Sequence, residues 1–264
     1  MTISDSISPK LRKRLIEVAY KKSASHISSC LSCIDILETI YSLVDRQKII
    51  DKSPSRDVVI LSKGHATLAH YVVLERYEVL DQSLDDYLDY GSTMYGHPNN
   101  QLRGVEHCTG ALGHGLPFAI GVSTYKKSQN LPGMVYVILG DGELEEGSNW
   151  EALLFLRNKQ PDNLTIIIDR NCMTQMDPSN SSVRLHPYVS LFESLGFSTS
   201  TIDGHHPGQL RTSFSSSLNS TKVVFCTTIK GKGIDFMESD PVWHYRPLNS
   251  ETYSLALSQL SRAS

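Results

Sequence analysis

The stretch Met134–Asn171, MVYVILGDGELEEGSNWEALLFLRNKQPDNLTIIIDRN, decides the fold. It opens on a short apolar run, Met134–Leu139, that stops at Gly140. Glu145–Asn158 then carries Trp150, Leu153, Leu154 and Leu156 at helical spacing. Pro161-Asp162-Asn163 reads as a turn, and Leu164–Asp169 is a second apolar run. Two buried-type strands joined by a helix make a βαβ crossover, which requires parallel pairing and right-handed connection. Parallel strands are covered on both faces, so the expectation is an α/β fold: an open parallel sheet with helices on both faces.

The same reading extends outward. Lys10–Lys22, Leu31–Val44, Thr67–Val79 and Leu116–Lys127 read as helices, the last with Pro117 in its first turn. Asp57–Leu61, Phe197–Ile202 and Val223–Ile229 read as strands. Asp89–Thr109, rich in Gly, His, Pro and Asn, reads as a long loop, and such loops in compact domains are usually functional. Ser213–Ser220 reads as a loop or helix end, and Thr252–Leu260 as a terminal helix.

Ligands of open parallel sheets bind at the carboxyl ends of the strands. Four ends carry polar or glycine-rich chemistry: Ser62-Lys63-Gly64-His65, Gly140-Asp141-Gly142-Glu143, Asp169-Arg170-Asn171-Cys172-Met173, and Lys230-Gly231-Lys232-Gly233. Asp141 and Asn171 follow the two strands of one βαβ unit and can converge. One carboxylate and one amide oxygen suit a hard cation such as Mg²⁺, which takes its other oxygens from phosphate, carbonyl or water. Gly140 and Gly142 permit a diphosphate to approach the backbone. Taken alone, G-D-G could equally be a tight turn.

Bulk properties narrow the partners. The chain has 264 residues, a net charge of −3 with ten His counted neutral, and 20% charged residues. That balance gives no electrostatic reason to expect nucleic acid or an anionic membrane. No apolar run is long enough to span a bilayer, and the first residues, MTISDSISPKLRKR, lack an apolar secretory core, so a cytoplasmic location is expected. Of five cysteines, Cys30 and Cys33 form a C-x-x-C within a helical pattern; with no second pair, a four-thiolate zinc site is excluded.

Taken in order, SHISSCLSCIDIL around His26, LSKGHA around His65, GHP around His97, TGALGHG, GDGELEEG, DRN ending at Asn171, KGKGIDFME and Trp243-His244 resemble the amino-terminal, diphosphate-binding domain of transketolases. The similarity runs from about His26 to His244. It implies the thiamine-diphosphate-binding fold and a single domain over 1–264, with its core at about 10–247. It implies thiamine diphosphate and Mg²⁺ as cofactors, with Asp141, Asn171 and the Met173 carbonyl as metal ligands. His65, Gly110, Leu112, Gly140, Gly142, Glu143 and Lys230 would line the cofactor, with His65 protonated beside phosphate. His26, His97 and His244 match histidines that serve the thiazolium and substrate hydroxyls, where imidazoles can move protons near neutral pH. His114 replaces a common Gln, and Glu146 matches a glutamate at the interface between subunits.

The resemblance implies transfer of a two-carbon ketol unit from a ketose or ketose phosphate to an aldose. It also implies a second polypeptide carrying the pyrimidine-binding and carboxy-terminal domains, in a heterotetramer. Departures from the pattern are Ser25 and Ile27 flanking His26, Gln175 in place of an apolar contact, Tyr245 where glycine is usual, and Arg246 for a lysine. They leave open a divided acyloin-forming synthase and a non-catalytic interaction module of the same fold.

Overall fold

The computed structural model describes residues 9–173, 187–216 and 219–262. Gln175, the first eight residues and the middle of the Ser-rich segment lie outside the described residues. Five strands form one parallel sheet: β1 Val58–Leu61, β2 Val135–Gly140, β3 Leu164–Arg170, β4 Ser198–Asp203 and β5 Lys222–Thr227, in the order β1-β2-β3-β5-β4. Register pairs Gly140 with Asp169 and Asp169 with Cys226, which aligns three strand ends side by side.

The central strands are β-branched and fully buried because both faces are covered. Alternate residues point to opposite sides, so Ile138 and Ile167 join one apolar cluster while Leu139, Ile166 and Ile168 join another. The first cluster is built with α1 Pro9–Lys21, α2 Ile27–Leu43, α4 Thr67–Arg76, α8 Pro207–Ser215 and α9 Ser250–Arg262, whose Leu260 packs inward. The second uses α5 Gly115–Ser128, α6 Gly147–Leu156 and α7 Tyr188–Ser194, with Phe192 against Phe225. The short helix α3, Arg46–Ile50, is capped by the Asp45 carboxylate accepting from the Lys48 amide.

Elements expected from the sequence are present, with ends displaced by a few residues. Helix α2 starts a turn early, at Ile27, directly after His26. Residues 89–109 contain neither helix nor strand among the described residues. Helices α3, α7 and α8 have no counterpart in the sequence reading. Cys30 and Cys33 are free thiols wholly buried in α2, where burial raises both pKa values, Cys30 to about 11. Among the described residues no helix is long and apolar enough to cross a membrane.

Candidate active site

The carboxyl ends of β1, β2, β3 and β5 meet at one edge of the sheet. Their loops are tied together from beneath by Glu143, which is 2% exposed. Its Oε1 accepts from Ser62 Oγ at 2.5 Å and from the Gly113 amide at 2.9 Å, and its Oε2 accepts from the Gly140 amide at 3.2 Å. Thr109 adds a bond from its hydroxyl to the Leu61 carbonyl at 2.6 Å. The β1 end, the T-G-A-L-G turn and the β2 end therefore move together. Both oxygens of Glu143 and the Gly140 amide are used inside the protein.

A buried ion pair lies under the next pair of loops. Lys63 Nζ sits 2.5 Å from Asp169 Oδ2, with both side chains at most 1% exposed. Asp169 also accepts from Ser32 and Thr228 hydroxyls, so its oxygens are fully engaged. Burial opposes the Lys63 charge, but Asp169 outweighs it and the ammonium pKa is raised. Sequence reasoning places both residues at strand ends without pairing them; a carboxylate closing an otherwise apolar run that is buried on both faces is the available signal.

Asp141 and Asn171 are brought to one loop junction. Asp141 Oδ2 accepts from the Cys172 amide at 2.6 Å, and Oδ1 accepts from the Gly142 amide at 2.9 Å. Asn171 Oδ1 accepts from the Met173 amide at 3.1 Å, and its Nδ2 donates to Ser32 Oγ at 3.4 Å. Asp141 is 2% exposed and has no ion-pair partner among the described residues. Burial, reinforced by Asp169, lifts its pKa to about 6. A buried carboxylate in that state gains from a cation. One carboxylate, one amide oxygen and the carbonyls of the 171–173 loop fit an oxygen-preferring divalent ion, and no cluster of three His, Cys, Asp or Glu competes for a softer metal among the described residues.

Four imidazoles assemble beside this junction. The His26 ring lies 5.4 Å from His65, 5.2 Å from His244 and 6.5 Å from His97, centroid to centroid. His65 also lies 5.8 Å from His244. His26 caps α2 in the left-handed region at φ 59°, a conformation that costs a non-glycine residue roughly 1–2 kcal/mol. Strain of that kind persists only where surroundings impose it. Lys230, 2% exposed, donates to His244 Nδ1 at 2.8 Å, which leaves the His244 proton on Nε2.

Burial depresses three of these rings. His26 falls to about 4, His244 to about 3 and His65 well below its ordinary value, each also repelled by Lys63 and Lys230. Lys230 falls to about 8, first through burial and then through Lys63. The sequence reading puts a charge on His65 beside phosphate; in the chain alone its ring is neutral. An anion placed here would relieve the repulsion between Lys63, Lys230 and these rings. A buried ammonium with no carboxylate partner among the described residues fits a diphosphate in the same way.

The remaining residues frame the group. Gly110, at φ 142°, lies so near His97 that an added Cβ would stand 2.8 Å from its ring. Gly113, at φ 81°, lies against Glu146 and Ser148, so the T-G-A-L-G turn admits no side chain there. Leu112 is half-buried beside it; His114 and Glu146 are exposed. Behind Lys230, a second network fixes the 229–233 loop. Ile229 N–H donates to His205 Nε2 at 2.8 Å, so His205 Nδ1 carries its proton to Asp35 at 2.6 Å. Arg12 bonds the same Asp35 oxygen at 2.6 Å and the Lys232 carbonyl at 3.2 Å. Neither Asp35 nor His205 stands out in the sequence, because their partners are 23 to 170 residues away.

The fold and site thus define an α/β protein whose strand ends bring buried lysines, a buried carboxylate and a cluster of imidazoles to one junction. The family model described as "Transketolase, thiamine diphosphate binding domain" matches residues 5–260, and the chain belongs to that family. It is 33% identical over 261 residues to one subunit of the apulose-4-phosphate transketolase of Phocaeicola vulgatus, covering 96% of this chain and 92% of that one. It is 30% identical to the 6-deoxy-6-sulfo-D-fructose transketolase subunit SqwG of a Clostridium species, covering 96% and 94%. Among solved structures, transketolase from Leishmania mexicana superposes with a TM-score of 0.83 at 22% identity, covering 96% of this chain and 40% of that one.

Proposed function

We propose that this chain is the diphosphate-binding subunit of a divided transketolase, moving a two-carbon ketol unit from a ketose or ketose phosphate to an aldose. The observation that carries the reading is the junction of Asp141 and the 171–173 loop beside buried Lys230 and the neutral imidazoles of His26, His65 and His244. Two relatives named as subunits, matched over nearly the whole of both lengths, support a two-polypeptide enzyme. The second chain would bring a pyrimidine-binding domain with the glutamate that acts on the aminopyrimidine, in a heterotetramer.

Asp141, Asn171 Oδ1 and the Met173 carbonyl would hold Mg²⁺. Lys230, His65, Gly142 and the 110–112 turn would hold thiamine diphosphate, with Gly140 and Glu143 keeping that turn in place. When bound, the cofactor supplies the electron sink for carbon–carbon bond cleavage. The chain's residues supply the proton traffic. His26 is uncharged at neutral pH, so it can accept a substrate hydroxyl proton and return it. The Lys230 hydrogen bond fixes His244 with Nε2–H outward as donor. Buried Lys63 and Asp169 hold the loops rigid, so positioning is set by folding and not at each turnover.

The test is reconstitution. The purified chain, a second-half transketolase polypeptide, thiamine diphosphate and Mg²⁺ are combined with ketose phosphates and aldoses, and products are identified by mass. Two-carbon transfer is expected. Condensation of pyruvate-derived acetyl units would instead indicate an acyloin synthase, and no cofactor binding at all would leave an interaction module.

A further inference from the structure

Two segments 220 residues apart in sequence meet on one imidazole. Ser25 Oγ lies 3.2 Å from His26 Nδ1, and the Tyr245 ring stands edge-on to the His26 ring at 5.0 Å and 77°. Tyr245 is nevertheless 67% exposed. His26 in turn touches His65, His97 and His244. The tyrosine therefore forms an exposed outer wall of the imidazole cluster.

The wall is firmly placed. The turn before it, Pro241–His244, is capped by the Asp240 carboxylate accepting from the Val242 amide. The Trp243 carbonyl accepts from Ser28 Oγ at 2.9 Å, two residues after His26. The Trp243 ring packs on Phe236 at 5.0 Å and beneath the Arg246 guanidinium at 5.3 Å. Four contacts hold the turn before Tyr245 and the Arg246 that follows it, while nothing of that kind buries its own ring. An exposed, pre-positioned aromatic at a site mouth provides contact area at low entropic cost.

We propose that Tyr245 is a specificity-determining residue that packs on the carbon chain of the sugar, beyond the two carbons transferred. Its ring takes the C–H face of a polyhydroxylated chain and blocks bulkier groups at that position. This rests on the ketol-transfer reading above. Its hydroxyl is not required, because the recognition is by ring face and size.

The experiment uses the reconstituted two-chain holoenzyme with thiamine diphosphate and Mg²⁺, a ketose phosphate donor, and paired acceptors: a linear aldose phosphate and a branched or aromatic aldehyde. Tyr245→Gly is expected to raise KM for the linear sugar about two- to tenfold, the scale of one aromatic contact, with kcat little changed. It should shift relative kcat/KM toward the bulkier acceptor. Tyr245→Phe should behave as the parent. Tyr245→Leu, which keeps bulk, should raise KM while still excluding the bulky acceptor. Because the ring is exposed, all three variants should keep the parent's circular dichroism. If the parent transfers ketol units but KM and the acceptor ratio are unchanged in the Gly and Leu variants, the inference is wrong and the functional reading stands. If the parent transfers none from any ketose, the functional reading fails and takes the inference with it.

Discussion

Lys63 and Asp169 form an ion pair of 2.5 Å that is closed to solvent and lies where two strand ends meet. Removing one member leaves the other charged and buried, which typically costs about 3–5 kcal/mol. Lys63→Met should therefore lower the urea midpoint sharply. Replacing both, as Lys63→Met with Asp169→Leu, should restore part of that loss, since the uncompensated charge is gone. Equal loss in the single and double variants would show that the pair is not the source.

Asp141→Ala should abolish Mg²⁺-dependent binding of thiamine diphosphate while leaving the fold intact. In the apo chain the Cys172 and Gly142 amides lose their acceptor, which lowers stability, but the part of the stability that falls with rising pH should vanish. The sign follows from the carboxyl pKa, raised to about 6 in the folded chain against about 4 unfolded. Between those values the folded state binds more protons, so this group's contribution to stability falls as pH rises from about 4 to about 6. Calorimetric binding and paired pH-denaturation curves for the two proteins measure both effects.

Binding of the Mg²⁺–diphosphate group should take up protons. Lys230 stands at about 8 and His65 well below its ordinary value because burial and neighbouring cations oppose their charge. An anion beside them reverses that bias and raises both. At pH 8 the binding enthalpy should depend on the ionisation enthalpy of the buffer, in the direction of uptake. Lys230→Met should remove most of the dependence; a buffer-independent enthalpy for the parent contradicts the assignment.

Gly110→Ala should impair turnover more than folding. The added methyl would meet the His97 ring at 2.8 Å, at a backbone φ of 142° that disfavours alanine. His97 is exposed and can swing away, so the clash is relieved by displacing an imidazole from the cluster. A modest fall in thermal midpoint from the strained backbone is expected, with a larger fall in kcat from the displaced imidazole.

His205→Ala should weaken cofactor affinity from a distance. It leaves the Ile229 N–H unpaired and deprives Asp35 of a donor, a loss of about 1–3 kcal/mol for a buried group. The freed loop carries Lys230. Affinity for thiamine diphosphate should fall while the His26–His65 geometry, read from imidazole proton shifts, is preserved.

Much of this is legible in the chain. The apolar runs Met134–Leu139 and Leu164–Asp169 announce buried parallel strands, and Asp141 and Asn171 declare themselves by following them. Helix α8 escapes a sequence reading because its cap, His206, is an uncommon one, and its apolar face is carried by Leu210 and Phe214 alone. The support beneath the site is invisible for a different reason. Ser32, Lys63, Asp169 and Thr228 come from four separate segments, and each looks like an ordinary polar residue until folding removes its water. Local periodicity reports which residues face inward, not which polar groups find one another there.

The bonds of Glu143 have a consequence for motion. The Gly113 and Gly140 amides share one carboxylate, and Ser62 completes the same knot. Neither amide can exchange its hydrogen with solvent unless that carboxylate lets go. Exchange at the two glycines should thus report one opening event of shared free energy, and Glu143→Gln should speed both by the same factor.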